Sequence, residues 1–208
     1  MTRLILVRHG QTDANVGRVL DSRPPGPPLN ALGLGQAAAL GMRLAGEPIV
    51  AVHASAATRA QQTGAPVAAA HGLAVGVVEG VHEVSCGDLE GRADDDAREQ
   101  FDAVYGAWAR GELAARLPGG ESALDLNARF VPAVARITRD VTGTVVLASH
   151  GAAIRLAAAA LLGDHAETRY VPNTGLVILN RSGAGWTLEH WDDAVPVPGD
   201  VTAGGPPD

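Results

Sequence analysis

A three-layer α/β/α sandwich around a mostly parallel central sheet is the fold this sequence predicts, and three observations lead to it. Short apolar runs rich in branched residues recur along the chain, as strands buried on both faces require. Segments with Leu and Ala at helical spacing lie between those runs, and strands alternating with helices favour a parallel sheet with helices on its faces. The length of 208 residues at 46% hydrophobic composition fits one domain with a sizeable core. We assign residues 1–193 to that domain and read 194–208, rich in Pro and Gly, as a flexible tail.

The elements follow in order. Leu4–Val7, ended by Gly10, reads as the first buried strand. Residues 18–30 carry Pro24, Pro25, Gly26, Pro27 and Pro28 and read as a stiff surface loop. Leu34, Ala37, Ala38, Leu40 and Leu44 mark a helix over Ala31–Ala45, with Asn30 as N-cap. Pro48 ends that segment. Ile49–Ala54 is a second strand and Ala56–Ala70 a second helix, with a kink or break expected at Pro66. Ala74–Val78 is a third strand, and the Gly-punctuated stretch 80–93 a loop. Helices are expected over Asp94–Arg116 and Glu121–Asp140. Thr144–Ala148, bounded by Gly143 and Gly151, is the clearest strand, and Ala152–Leu162 a helix closed by Gly163. Leu176–Leu179 and Trp186–His190 form a last strand pair around Ser182-Gly183.

Composition narrows the function. The formal net charge is −7 and all 16 basic residues are Arg. That balance argues against nucleic-acid binding, but converging arginines can still build a positive pocket for a small anion. A single cysteine, Cys86, points to a reducing, cytoplasmic setting. No apolar run reaches membrane-spanning length.

In open α/β sheets ligands bind beyond the carboxyl ends of the strands. Arg8-His9-Gly10 follows the first strand, Ser55 to Arg59 the second, Glu83 the third and His150-Gly151 the fourth. Two His, two Arg and a carboxylate thus reach one rim. The set suits phosphoryl transfer without a metal: a neutral imidazole attacks phosphorus, guanidiniums hold the oxygens, and a carboxylic acid protonates the leaving group. Glu79 and Glu90 lie close enough to compete with Glu83 for that last role. Helix N-termini opening after Gly10, Ser55 and His150 would add backbone donors. Composition alone yields about 0.07 expected occurrences of Arg-His-Gly, so the tripeptide gains its meaning from the strand before it and the motifs beyond.

Those motifs carry a resemblance. Arg8-His9-Gly10-Gln11-Thr12-Asp13-Ala14-Asn15 resembles the signature of the histidine phosphatase superfamily, the phosphoglycerate mutase-like clan. Leu29 to Ala37, Ser55 to Thr63, Glu83 to Gly91, Pro118-Gly119-Gly120-Glu121-Ser122 and Val145 to Gly151 resemble its later segments, in family order. The resemblance implies a phosphoric monoester hydrolase of the histidine acid phosphatase type. It makes His9 the phosphorylated nucleophile, Glu83 the proton donor, and Arg8, Arg59 and His150 the remaining catalytic groups. Asn15, Gly151, Gln11 and Thr12 would contact substrate, a small phosphorylated metabolite, with no metal or other cofactor and with a homodimer common among similar proteins. Two departures stand out: Ala57 and Thr58 occupy positions usually proline and leucine, and the 20–28 loop is unusually proline-rich. The alternatives are a cofactor-dependent phosphoglycerate mutase, disfavoured by the short span between Gly91 and Glu121, and a non-catalytic phospho-ligand-binding relative.

Other conspicuous residues receive plainer readings. His53 reads as a core histidine, and His71, His165 and His190 as surface or packing residues. Cys86 reads as a small packing residue, and Asp94-Asp95-Asp96 as a charge cluster matching a helix dipole. Arg155 is shared between pocket support and a solvated helix face. Gly119-Gly120 lacks the Gly-Lys-Ser/Thr of a nucleotide loop.

Overall fold

The computed structural model describes residues 1–163, 169–183 and 185–193, so His165 and the expected tail at 194–208 lie outside the described residues. Six strands form one sheet: β1 (Thr2–Arg8), β2 (Ile49–Ala54), β3 (Val75–Val77), β4 (Gly143–Ser149), β5 (Leu176–Ser182) and β6 (Gly185–Trp191). Their order is β3-β2-β4-β1-β5-β6. β1, β2, β3 and β4 pair in parallel, whereas β5 is antiparallel to both β1 and β6.

β1 shows why a continuous apolar run needs two helical layers. Leu4 and Leu6 pack with Val145, Leu147, Phe101, Phe130 and Ile154. Ile5 and Val7 pack with Leu40, Leu44, Val67 and Val146 on the other side. The first set belongs with helices α4 (Asp95–Ala109), α5 (Ala123–Ile137) and α6 (Gly151–Leu162), the second with α2 (Ala31–Leu44) and α3 (Thr58–Ala70). All four β1 side chains are fully buried. The layered α/β/α sandwich is therefore the observed fold.

Several boundaries differ from expectation. The helix predicted over Asp94–Arg116 stops at Ala109. Gly111 adopts a left-handed φ of 89°, its N–H bonds Trp108 O and the Glu112 N–H bonds Ala107 O at 3.0 Å, a Schellman ending that closes the helix. The next helix begins at Ala123, not Glu121, because Ser122 and Asp125 form a reciprocal capping box. α3 runs without a break through Pro66. α2 packs closely on it there: a Cβ added at Gly41 would lie only 3.0 Å from Pro66. The first helix, α1 (Asp13–Val16), is a single capped turn after Gly10. A 3-10 turn, Gly87–Leu89, interrupts the 80–93 loop. No helix among the described residues is long and apolar enough to cross a membrane.

One contact couples α2 to the end of β1. A Cβ on Gly33 would sit 2.1 Å from the Gln11 carbonyl oxygen, a backbone atom with little room to move. Gly33→Ala is expected to cost roughly 2–3 kcal/mol through overpacking, read as a fall in the midpoint of urea unfolding.

Candidate active site

Each parallel strand delivers a functional group at its carboxyl end. β1 ends in Arg8 and passes directly to His9; β4 ends at Ser149 and passes to His150. The register aligns Arg8 with Ser149, so the two histidine rings meet edge to face with centroids 5.2 Å apart. β2 leads to Arg59 in the first turn of α3.

His9 is buried, and its Nδ1 lies 2.7 Å from the Gly10 carbonyl oxygen. A carbonyl only accepts, so Nδ1 carries the proton and Nε2 keeps the lone pair. Burial, then the charges of Arg59 and Arg8, hold the His9 pKa well below the ordinary value. Thr63 fixes this loop to α3: its Oγ1 accepts from Gly10 N–H at 3.0 Å and donates to Arg59 O at 2.7 Å. From the opposite side Asn173 Nδ2 donates to His9 O at 2.9 Å.

His150 is fully buried, and its Nε2 lies 2.7 Å from Ser55 Oγ. Ser55 Oγ also accepts the Ala57 N–H at 3.3 Å. The other ring nitrogen of His150, Nδ1, is buried and has no hydrogen-bond partner. Burial first, then Arg59 and His9, push the His150 pKa well below normal.

Both imidazoles stay neutral in the fold, whereas in the unfolded chain they titrate near 6.5. Below that pH the unfolded chain binds protons that the folded chain refuses. Stability present above about pH 6.5 is thus lost as pH falls through 6.5 toward the folded values. The expected slope is up to about 1.4 kcal/mol per pH unit for each histidine. Thermal unfolding between pH 7.5 and 5.5 should therefore show a shallower fall for a His9→Asn/His150→Asn variant than for the unaltered chain.

Arg8 is buried; its Nη1 donates to Val171 O at 2.9 Å and Tyr170 Oη at 3.2 Å. A Cβ at Gly151 would lie 3.2 Å from Arg8 Nε, which places Gly151 directly against that guanidinium. Arg59 pairs with Asp21, Nη1 to Oδ2 at 3.0 Å. The Glu83 carboxylate accepts the N–H groups of Val84 (2.8 Å), Ala153 (2.8 Å) and Ala152 (3.2 Å), so the N-terminus of α6 holds it. Behind it, Arg129 donates to the carbonyls of Gly80, His82 and Glu83 and forks onto Glu121. Glu90 instead anchors the 18–30 loop through Ser22 and Arg23.

His9, Arg59, Glu83, Asn15 and Thr12 line one cleft. Arg8, His150 and Gly151 do not line it. Asn15 Oδ1 accepts from Thr12 N and Oγ1, which leaves its Nδ2 hydrogens as the donors it can offer. Of the four expected substrate contacts Asn15 and Thr12 line the cleft, whereas Gln11, like Gly151, does not. Gln11 Oε1 accepts from Asn30 Nδ2 at 3.1 Å, tying the loop to α2. Asp21, Cys86, Arg98 and Phe101 also line the cleft and were not anticipated as site residues. Only the proline-rich composition of the 20–28 loop hinted at Asp21, and nothing local marked Arg98 or Phe101, whose place depends on where α4 crosses. Cys86 is buried and its thiol pKa is pushed up to about 12, chiefly by burial, as a packing residue requires. His71 bonds Val67 O and Glu47 O and Arg155 lies over the Tyr105 ring at 4.3 Å, both packing roles.

An α/β sandwich that gathers two histidines and two arginines where parallel strands end has the makings of a phosphate-handling protein. A family model described as histidine phosphatase superfamily (branch 1) matches residues 4–194, and the chain belongs to that family. A PE-PGRS family protein of Mycobacterium tuberculosis, PE_PGRS11, is 33% identical over 92% of this chain, which spans only 36% of that relative's length. A probable phosphoglycerate mutase of Yersinia pestis, GpmB, is 30% identical, covering 92% of this chain and 90% of that protein. Among solved structures, a mycobacterial glucosyl-3-phosphoglycerate phosphatase complexed with VO3 superposes with a TM-score of 0.81 at 28% identity. The match covers 92% of this chain and 99% of that one.

Proposed function

We propose that this chain is a phosphatase that hydrolyses a small phosphomonoester metabolite through a phosphohistidine on His9, with no metal in the reaction. The observation that carries the reading is the Nδ1 contact of His9 with Gly10 O, which aims an unprotonated Nε2 at a cleft shared with Arg59 and Glu83. Nε2 attacks phosphorus in line while the bond to the leaving oxygen breaks, and Glu83, entering as the acid, supplies that oxygen with a proton. Arg59, on the cleft wall, offsets charge on the equatorial oxygens, and in this reading Arg8 and His150, outside that wall beside His9, reach the same oxygens when substrate binds. Water then attacks phosphorus, Glu83 takes its proton, and inorganic phosphate leaves with His9 restored.

The similarity to a probable phosphoglycerate mutase supports a second reading, in which the phosphoryl group returns to a hydroxyl of the substrate. One experiment separates them. A brief reaction with 32P-labelled substrate in excess EDTA is quenched in alkali, and label is traced in protein, phosphate and organic product. The phosphatase reading expects acid-labile, alkali-stable label on the protein and its chase into inorganic phosphate. Label recovered only in an isomeric phosphoester supports the mutase, and an unlabelled protein with inert substrate overturns both.

A further inference from the structure

We propose that Asp21 is an internal stand-in for phosphate: its carboxylate pairs with Arg59 and yields, taking up one proton, when a phosphoryl group binds. The inference deepens the phosphatase reading above and rests on it.

The geometry is that of a built contact. Arg59 is buried and meets Asp21 twice: Nη2 donates to Asp21 O at 3.0 Å, and Nη1 lies 3.0 Å from Asp21 Oδ2 as an ion pair outside hydrogen-bond geometry. Asp21 also lines the cleft that holds His9 and Glu83. Its backbone is clamped on both sides. Leu20 exchanges hydrogen bonds with Arg92 O and Gly91 N–H at 2.8 and 2.7 Å, and the Ser22 hydroxyl bonds Glu90. Further along, Thr58 N–H bonds Pro25 O at 2.8 Å, and Gly26, with φ at 60°, lets the loop close over the guanidinium. A Cβ there would lie 2.3 Å from Arg59 Nη1. With the main chain held, only the carboxylate need move.

The charges around Asp21 decide the outcome of phosphate entry. Arg59 faces it from α3, Glu90, Glu83 and the Cys86 thiol from the 83–91 segment, Arg98 from α4 and His9 from the end of β1. Burial and Glu90 already oppose its ionisation, while Arg59 favours it. A phosphoryl dianion claims Arg59 and adds like charge beside the carboxylate, so both changes drive a proton from solvent onto Asp21. The resulting carboxylic acid becomes a donor to a phosphoryl oxygen. No covalent bond other than that O–H is made. Because inorganic phosphate must dislodge an anion to stay, the product leaves readily.

The test compares the full chain with Asp21→Asn, which keeps shape and the Arg59 contact but removes the charge. Inorganic phosphate is measured as an inhibitor of p-nitrophenyl phosphate turnover at about pH 7.5. The inhibition constant is expected to fall about tenfold in the variant, as removal of a charged competitor predicts. Calorimetric titration of inorganic phosphate in two buffers of different ionisation enthalpy is expected to show about one more proton taken up by the unaltered chain. Asp21→Ser, checked for folding by circular dichroism, should shift both readings the same way. Equal inhibition constants and equal proton counts, or weaker phosphate binding in both variants, overturn the proposal. If the unaltered chain does not hydrolyse the ester, the phosphatase reading fails while the calorimetry still decides the role of Asp21.

Discussion

His9→Ala is expected to lower kcat for p-nitrophenyl phosphate by at least about 10⁴-fold, since removing a covalent nucleophile eliminates both half-reactions at once. Excess EDTA is expected to leave the rate of the unaltered chain intact. Thr63 and Asn173 hold the backbone around His9 without touching its ring nitrogens, so the alanine variant should fold, and circular dichroism checks that it does. A variant that keeps more than a few per cent of the rate would remove His9 from the centre of the reaction and return the question to Arg59 and Glu83.

Glu83→Gln should have an effect that depends on the leaving group. The substituted side chain retains an amide oxygen for the Ala153 and Val84 N–H groups, which share Oε1, and gives up the longer Ala152 contact to Oε2, yet it cannot deliver a proton. General acid catalysis supplies about 10²–10⁴-fold, so kcat on an alkyl phosphate should fall by about 10³-fold. Nitrophenolate departs without protonation, and there the loss in the first step should be within about tenfold. Equal losses on both substrates would mean that Glu83 holds structure and does not move the proton.

The parts of the fold that could be read from sequence are those set by local chemistry. The branched apolar runs at Leu4–Val7 and Thr144–Ala148 read as doubly buried strands, and Asn30 caps α2 where a short polar side chain favours it; that Asp94 caps α4 and does not begin it shows only in the structure. The motifs after each strand then fall at one edge because parallel strands leave them no other place. What could not be read is either subtle or remote. The Ala-rich stretch beyond Ala109 is helical by propensity, and only the left-handed turn at Gly111 ends it. Gln11 sits within the first motif, but its pairing with Asn30 is decided by where α2 docks. Thr63 and Asn173, far apart in the chain, meet around His9 and Gly10 through the sheet alone. Asp21 depends on the path of a loop whose course is fixed by Glu90 and Arg59, neither of them near it in sequence.

The sheet order has a consequence for how the chain is made. β1 is an interior strand whose two neighbours, β4 and β5, lie about 140 and 175 residues downstream. At about 5–20 residues per second, Leu4–Val7 waits roughly 7–30 s on the ribosome before its first partner is synthesised. Through that interval a branched apolar segment without its native neighbours is prone to non-native pairing. No N-terminal fragment short of β4 can assemble the His9–His150 pair, which forms only once a contact about 140 residues long has closed. The long sequence separation of these pairings predicts slow folding.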